Sequence, residues 1–383
     1  VFEPFPGNYV WNLSVNIALS LGGAIGEIDT ANREVLAASR QGEDTGTEAF
    51  LRAWESLAER VRGLADEDAA AGRPLSASDK YRRASVYLMT AERMQSRHYA
   101  PRIQTYHRML GAMDRAVETG RLNCRKVDIP YGSGTFPGLF VHGEGNGARP
   151  CMVFCNGLDS VKEMIYWSWT GHELARRGIS TLMIDHPGVG AALRLHDLKG
   201  IHDSERWAGA AVDFLEGRSD VRHDRIGMMG WSLGGYYAPR ATAYEKRLKL
   251  CVAWGANHNW GEVQRRRLER EGERPVPHYW DHVMWVFGKD TLEEFMAFAP
   301  AMSLVGVVKD IRVPFLITHG IHDRQIPVAF AHQSYDEAVN SPKRQLRIFT
   351  DREGGVEHCS SDNLEPVRSF ICDWIGETFA EMD

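Results

Sequence analysis

The sequence predicts an α/β protein: an eight-stranded, mostly parallel sheet, a helical cap domain over 1–120 in front of it, and a helical lid inserted at about 256–309. Three observations carry this. Only helical periodicity is found before about residue 120. From Cys124 onward, short apolar runs alternate with helical stretches, as parallel strands joined by crossovers require. One of those runs, Ile226–Met229, leads straight into Gly230-Trp231-Ser232-Leu233-Gly234, a corner so tight that only small residues fit beside the serine.

In the first domain, Phe50, Trp54, Leu57, Ala58, Val61 and Leu64 mark one helix face behind Thr47, which reads as its cap. Ser76-x-x-Asp79 resembles a capping box for a second helix carrying Tyr81, Ala84, Leu88 and Met94. Pro101 opens a third, reaching about Val117, and the 42–46 and 72–74 stretches read as linkers. Val10 to Ile28 is apolar but holds Asn12, Ser14, Asn16, Ser20 and three glycines. It is a poor membrane span and is expected to pack against the protein.

The strands are expected at 126–130, 137–141, 152–154, 180–184, 226–229, 250–253, 315–318 and 346–349, the first two as a hairpin. The loop after the third, Asn156-Gly157-Leu158-Asp159-Ser160, offers the Leu158 amide as an oxyanion donor. Asp159 or Ser160 would cap the next helix. After the fourth comes Asp185-His-Pro-Gly188-Val-Gly190, half of a dinucleotide fingerprint without its third glycine. It reads as a loop lining the site, with Asp185 as a substrate contact or an alternative acid. Ser232 ends the fifth strand as the candidate nucleophile, with Trp231 beside it and the Leu233 amide as second oxyanion donor.

A serine nucleophile needs a base, and the base needs an orienting acid. Asp323 follows the seventh strand, and His358 lies between the last strand and the final helix that starts near Asn363. The order Ser232, Asp323, His358 is that of the α/β-hydrolase plan. His319 and His322 read as loop or shell residues. Between Trp254 and Phe315 lie about sixty residues, more than a crossover needs, rich in Trp260, Tyr279, Trp280, Trp285, Phe287, Phe295 and Phe298. They are expected to pack a small core of their own and also to wall an aromatic pocket above Ser232, closed from another side by the helical domain. His258 and Glu262, early in this insertion, and His98 and Tyr99 in the cap are candidate polar contacts for a substrate. Glu262 doubles as an ordinary exposed helix charge.

Composition narrows the classes. A chain of 383 residues with 43% apolar and 25% charged residues has room for one large core and an appended domain. A net charge of −6 without a long basic run argues against a nucleic-acid partner. Arg265-Arg266-Arg267, interleaved with Glu262, Glu269 and Glu271, reads as a solvated helix face. Six cysteines without a paired C-x-x-C pattern suit a reduced, cytoplasmic protein. No signal peptide is visible, and a chain beginning at Val1 suggests residues missing before it. No metal-ligand spacing or nucleotide loop occurs, so no cofactor is expected, and no membrane association.

Five segments taken together, Asn156 to Glu163, Asp185 to Gly190, Gly230 to Gly235, His319 to Asp323 and Gly354 to Cys359, resemble the α/β-hydrolase family of dihydroxypseudooxynicotine hydrolase and the fungal pigment hydrolases that shorten polyketide chains. Leu75 to Tyr87 is similar to their helical cap. Trp231 and the aromatic lid depart from the pattern. The resemblance implies hydrolysis of a carbon–carbon bond beside a ketone in an aromatic or β-diketone substrate, and a homodimer through the N-terminal helices. The same triad would equally serve a carboxylesterase or lactonase. A non-catalytic binding protein on this fold is the alternative from another class.

Overall fold

The computed structural model describes residues 2–41, 46–269 and 277–382. Most of the expected 42–46 linker lies outside the described residues, as do Glu271 of the charged lid helix and Val1, on which the expectation of missing residues rested. The chain divides into two units: Val1–Cys124 with Glu271–Val283, and Arg125–Arg270 with Met284–Asp383. Part of the insertion therefore clusters with the helical unit.

The first unit holds α1 (Tyr9–Ser20), α2 (Ile25–Val35), α3 (Thr47–Ala70), α4 (Pro74–Arg93) and α5 (Pro101–Gly120). Helix α4 packs against both α3 and α5. The apolar face of α3 is buried through Phe50, Trp54, Leu57, Ala58 and Val61, whereas Leu64, expected on the same face, is exposed and Ala65 is buried instead. Phe5, Trp11, Phe50, Trp54 and Tyr87 form a chain of ring contacts with centroids 4.9–5.9 Å apart. Asn12 and Asn16 bond back to the backbone of Phe5 and Phe2, which lets a polar-studded apolar helix be buried. Among the described residues no helix is long and apolar enough to cross a membrane.

Two caps differ from expectation. Gly46, at φ 91°, takes the cap position of α3, and Thr47 is already helical, its hydroxyl 3.3 Å from His278 Nε2. Helix α4 starts at Pro74, whose missing N–H costs nothing in a first turn. Ser76 and Asp79 therefore sit inside the helix, and Asp79 pairs with Arg82 and Arg83.

The second unit contains one sheet in the order β1-β2-β4-β3-β5-β6-β7-β8. The strands are β1 (Arg125–Tyr131), β2 (Gly134–Val141), β3 (Arg149–Cys155), β4 (Ser180–Ile184), β5 (Val221–Trp231), β6 (Cys251–Trp254), β7 (Phe315–Gly320) and β8 (Arg344–Phe349). The β1–β2 and β2–β4 pairings are antiparallel and all others parallel. Helices α6 (Lys162–Trp167), α7 (Thr170–Arg176), α8 (Gly190–Arg194), α9 (Glu205–Glu216) and α10 (Gly234–Tyr244) fall between strands. The insertion supplies α11 (Trp260–Glu269), α12 (Tyr279–Phe287) and α13 (Leu292–Phe298); α14 (Ala329–Glu337) and α15 (Leu364–Ala380) follow. Every residue of β4, β6 and β7 is buried, as helices on both faces demand. The loops that matter all leave the carboxyl ends of parallel strands, where open sheets of this kind place their sites.

Candidate active site

Between β5 and α10 the chain has two residues in which to turn from strand to helix. Ser232 makes the corner with φ +56°, a left-handed conformation that costs a serine energy and lifts its hydroxyl clear of the sheet. Its N–H donates to Trp254 O at 3.0 Å, fixing the corner to β6. The flanking glycines are steric necessities. A Cβ on Gly230 would lie 2.5 Å from both Cys155 Sγ and Gly234 O, and one on Gly235 2.2 Å from Gly255 O.

His358, in the turn after β8, meets Ser232 with its Nε2 2.9 Å from Ser232 Oγ. Its Nδ1 is 2.9 Å from Asp323 Oδ2 and 3.1 Å from Oδ1. A carboxylate only accepts, so Nδ1 carries the proton and Nε2 accepts from the serine hydroxyl. Asp323 also receives the N–H groups of Gln325 and Ile326 at 2.7 and 2.9 Å, which orient it toward the ring. Burial would raise the Asp323 carboxyl, but the facing histidine and these bonds outweigh it and hold the group below its usual range. Burial likewise pulls His358 down, yet the Asp323 carboxylate lifts it well above its ordinary value. The arrangement can take a proton from Ser232 and stabilise the imidazolium that results.

The sequence places His358 in a turn after the last strand, but does not reveal the backbone geometry of that turn. Cys359 and Ser360 both have positive φ, at 48° and 62°. Asp362 secures this strained turn by accepting from the N–H groups of Gly355, Val356 and Glu357 at 2.9, 3.2 and 2.8 Å. Trp254 Nε1 donates to Ser360 Oγ at 3.2 Å. The one available signal was an acid a few residues beyond a Gly-Gly pair. Cys359 Sγ lies 3.6 Å from His358 Nε2. His319 stands behind the carboxylate, its Nε2 donating to Ile326 O at 3.0 Å and 3.6 Å from Asp323 Oδ2. His322 is exposed beside Asp351.

The loop after β3 runs directly over the serine. A Cβ on Gly157 would lie 2.9 Å from Ser232 Cβ and 3.3 Å from its Oγ, so only glycine allows this approach. Leu158 follows at that point, and Leu233 opens the first turn of α10, where helical N–H groups have no partner within the helix. Neither Asp159 nor Ser160 caps α6. Val161 occupies the cap without a side-chain bond, and Ser160 instead bonds within its own loop.

The other candidates are engaged with partners of their own. Asp185 is fully buried, and its oxygens are filled by Lys162, Asn156 and Ala191, so it serves neither as triad acid nor as an open substrate contact. Trp231 is turned inward, packed edge-on against Phe154 and Trp254 with its Nε1 on Ser160 Oγ. Both ring nitrogens of His258 are occupied, by Ser334 at 3.0 Å and Glu337 at 3.2 Å. Glu262 is bonded by Arg265 and Arg266, which hold it down at about 2: it is the ordinary helix charge. Arg97 and His98 of the first unit close on Asp281 at 2.9 and 3.3 Å, and Tyr99 N–H caps a turn on Ser96 O. In the lid, Trp260, Phe287, Phe295 and Phe298 face one another at 5.0–6.0 Å. Much of the expected aromatic wall is thus a small core. Among the described residues, no group of three or more His, Cys, Asp or Glu side chains could hold a metal ion.

The sheet and the serine corner define an α/β hydrolase. The family model described as "Esterase FrsA-like" matches residues 64–265, and the chain belongs to that family. The prolyl oligopeptidase family model matches residues 204–380. The chain is 28% identical to the 2,6-dihydropseudooxynicotine hydrolase of Paenarthrobacter nicotinovorans, over 84% of this chain and 82% of that one. It is 28% identical to Hydrolase LUC6 of a Fusarium species, over 94% and 95%. The crystal structure of the 2,6-dihydroxy-pseudo-oxynicotine hydrolase superposes with a TM-score of 0.76 at 24% identity, covering 95% of each chain, a likeness of fold.

Proposed function

We propose that this hydrolase cleaves a carbon–carbon bond next to a ketone in an aromatic or β-diketone substrate, through an acyl-enzyme on Ser232. The observation that carries the reading is the continuous bond chain from Ser232 Oγ through His358 to Asp323, on a serine held at positive φ. A relative named as a 2,6-dihydropseudooxynicotine hydrolase, and another from Gibberella moniliformis named as a 20-hydroxy-prefusarin hydrolase, support the substrate class.

In this mechanism Ser232 Oγ adds to the ketone carbon while its proton passes to His358 Nε2, and Asp323 steadies the imidazolium. The oxygen of the tetrahedral intermediate is held by the Leu158 and Leu233 amides. The carbon–carbon bond then breaks with its electron pair leaving on carbon. That carbon is tolerable as a leaving group only as an enolate or an electron-rich ring carbon, and His358 returns the proton to it. Water next adds to the acyl carbon, giving a proton to His358, and collapse expels Ser232 Oγ, which recovers that proton. The products are a carboxylic acid and a ketone or arene. Two copies, in this reading, pair through the N-terminal helices. Six cysteines without a disulfide among the described residues accord with a cytoplasmic setting.

Ester hydrolysis is the second reading, favoured by the family description as esterases. It needs the same nucleophile and oxyanion donors, but an alkoxide leaves far more readily than a carbanion. Comparing cleavage of a hydroxyphenyl ketone with cleavage of a size-matched ester separates the two.

A further inference from the structure

The strongest feature outside the Ser-His-Asp chain is a buried polar network behind the loop 156–162. Asp185 ends β4 and is fully buried, in a place where a charged group must be well partnered. Its Oδ1 accepts from Asn156 Nδ2 at 3.1 Å and from the Lys162 backbone N–H at 2.7 Å. Its Oδ2 accepts from Lys162 Nζ at 2.9 Å and from Ala191 N–H at 2.8 Å. One carboxylate therefore grips both ends of the segment that carries Gly157 and Leu158 over the nucleophile.

Ser160 holds the middle. Its hydroxyl accepts the Gly157 N–H at 2.9 Å and donates to Asn156 Oδ1 at 2.9 Å. It also accepts from Trp231 Nε1 at 3.2 Å, the ring of the residue that immediately precedes Ser232. With one donation and two acceptances, the hydroxyl's capacity is used in full. Loop and nucleophile corner are thus tied through one oxygen. Burial also raises the carboxyl of Glu163, which shares the Lys162 ammonium with Asp185 and so yields its charge more readily than a surface glutamate.

We infer that Ser160 and Asp185 are positioning residues of the oxyanion site: they fix the 156–162 backbone so that the Leu158 amide meets the developing oxyanion, without touching substrate. The inference rests on the reading of Ser232 as nucleophile and of Leu158 as donor. The oxyanion exists only in the transition state, so loosening the loop slows the chemical step and leaves ground-state binding alone. Losing one well-placed oxyanion donor costs roughly 100- to 1000-fold, and a loosened one should cost roughly 10- to 100-fold.

The test uses the full chain and a fluorophosphonate probe, whose addition to a serine passes through an oxyanion held by the same amides. The inactivation constants kinact and KI are measured for wild type, Ser160→Ala, Ser160→Thr, Asp185→Asn and Ser232→Ala, together with thermal melting. In Ser160→Ala, kinact falls roughly 10- to 100-fold while KI holds, Tm drops because the partners of the hydroxyl are left unpaired, and Ser160→Thr, which keeps the hydroxyl, recovers most of the rate. Asp185→Asn lowers kinact and Tm together. Wild-type kinact in Ser160→Ala, or a threonine variant no better than alanine, overturns the inference even where Ser232→Ala stays unlabelled. Labelling of Ser232→Ala at the wild-type rate overturns the nucleophile reading itself.

Discussion

Ser232 holds φ +56°, a left-handed conformation that costs a serine energy and that suits the nucleophile proposed there. Replacing Ser232 with alanine should lower turnover by roughly 10,000-fold or more while the fold persists, checked by steady-state rates and a melting curve. The pH dependence belongs to His358. It acts as a base only when neutral, and although burial pulls its pKa down, the Asp323 carboxylate holds it above the ordinary 6.5. Activity should therefore fall as pH drops through a midpoint above 6.5. Asp323→Asn removes the charge that raises the histidine, so that midpoint should move to lower pH while the plateau falls roughly 10,000-fold. A pH–rate profile whose acid limb stays put in the variant would contradict the assignment of Asp323. Ser232, Asp323 and His358, which the structure brings within hydrogen-bond distance, could be read from the sequence because each follows a recognisable strand in the required order. Asp362 could not, because its work is to hold three backbone N–H groups in a turn whose shape only the folded chain reveals.

Among the elements, two glycines separate positioning from packing. Gly157→Ala would push a methyl group against Ser232 Cβ, so it should cut turnover at least tenfold with little change in melting. Gly235→Ala would drive its Cβ into the Gly255 carbonyl on an immovable backbone, and should cost about 1–3 kcal/mol of stability, read by thermal or denaturant unfolding. In the lid, Phe295 is fully buried against Trp260 and Phe287, and Phe295→Ala should cost about 3–5 kcal/mol if this small core unfolds with the rest of its unit. All eight strands were legible, the inner ones as short apolar runs and the largely polar β1 as one arm of a hairpin with β2. The helix starts at Thr47 and Pro74 were not, because a left-handed glycine and a first-turn proline outcompeted the serine and threonine signals. At His258, Glu262 and Asp185, expected as polar substrate contacts, the structure shows partners within the protein that the sequence does not reveal. Linear proximity to a strand end says nothing of whether neighbours such as Glu337, Arg265 or Lys162 have already claimed the side chain.

Across the whole molecule, a sheet that carries the reacting groups is joined to a helical unit that also takes in the middle of the insertion, Glu271–Val283. That division of the insertion had no counterpart in the sequence pattern, where the lid read as one run of helices. The most direct measurement for the central claim is a mass-resolved assay of the purified protein on a hydroxyphenyl ketone or β-diketone beside an ester of matched size, each with Ser232→Ala as control. The account predicts that the ketone is split into a carboxylic acid and an arene or methyl ketone, and that the cleavage vanishes in the variant. Cleavage of the ester alone would contradict it and leave an esterase, with the same machinery turned to an easier leaving group.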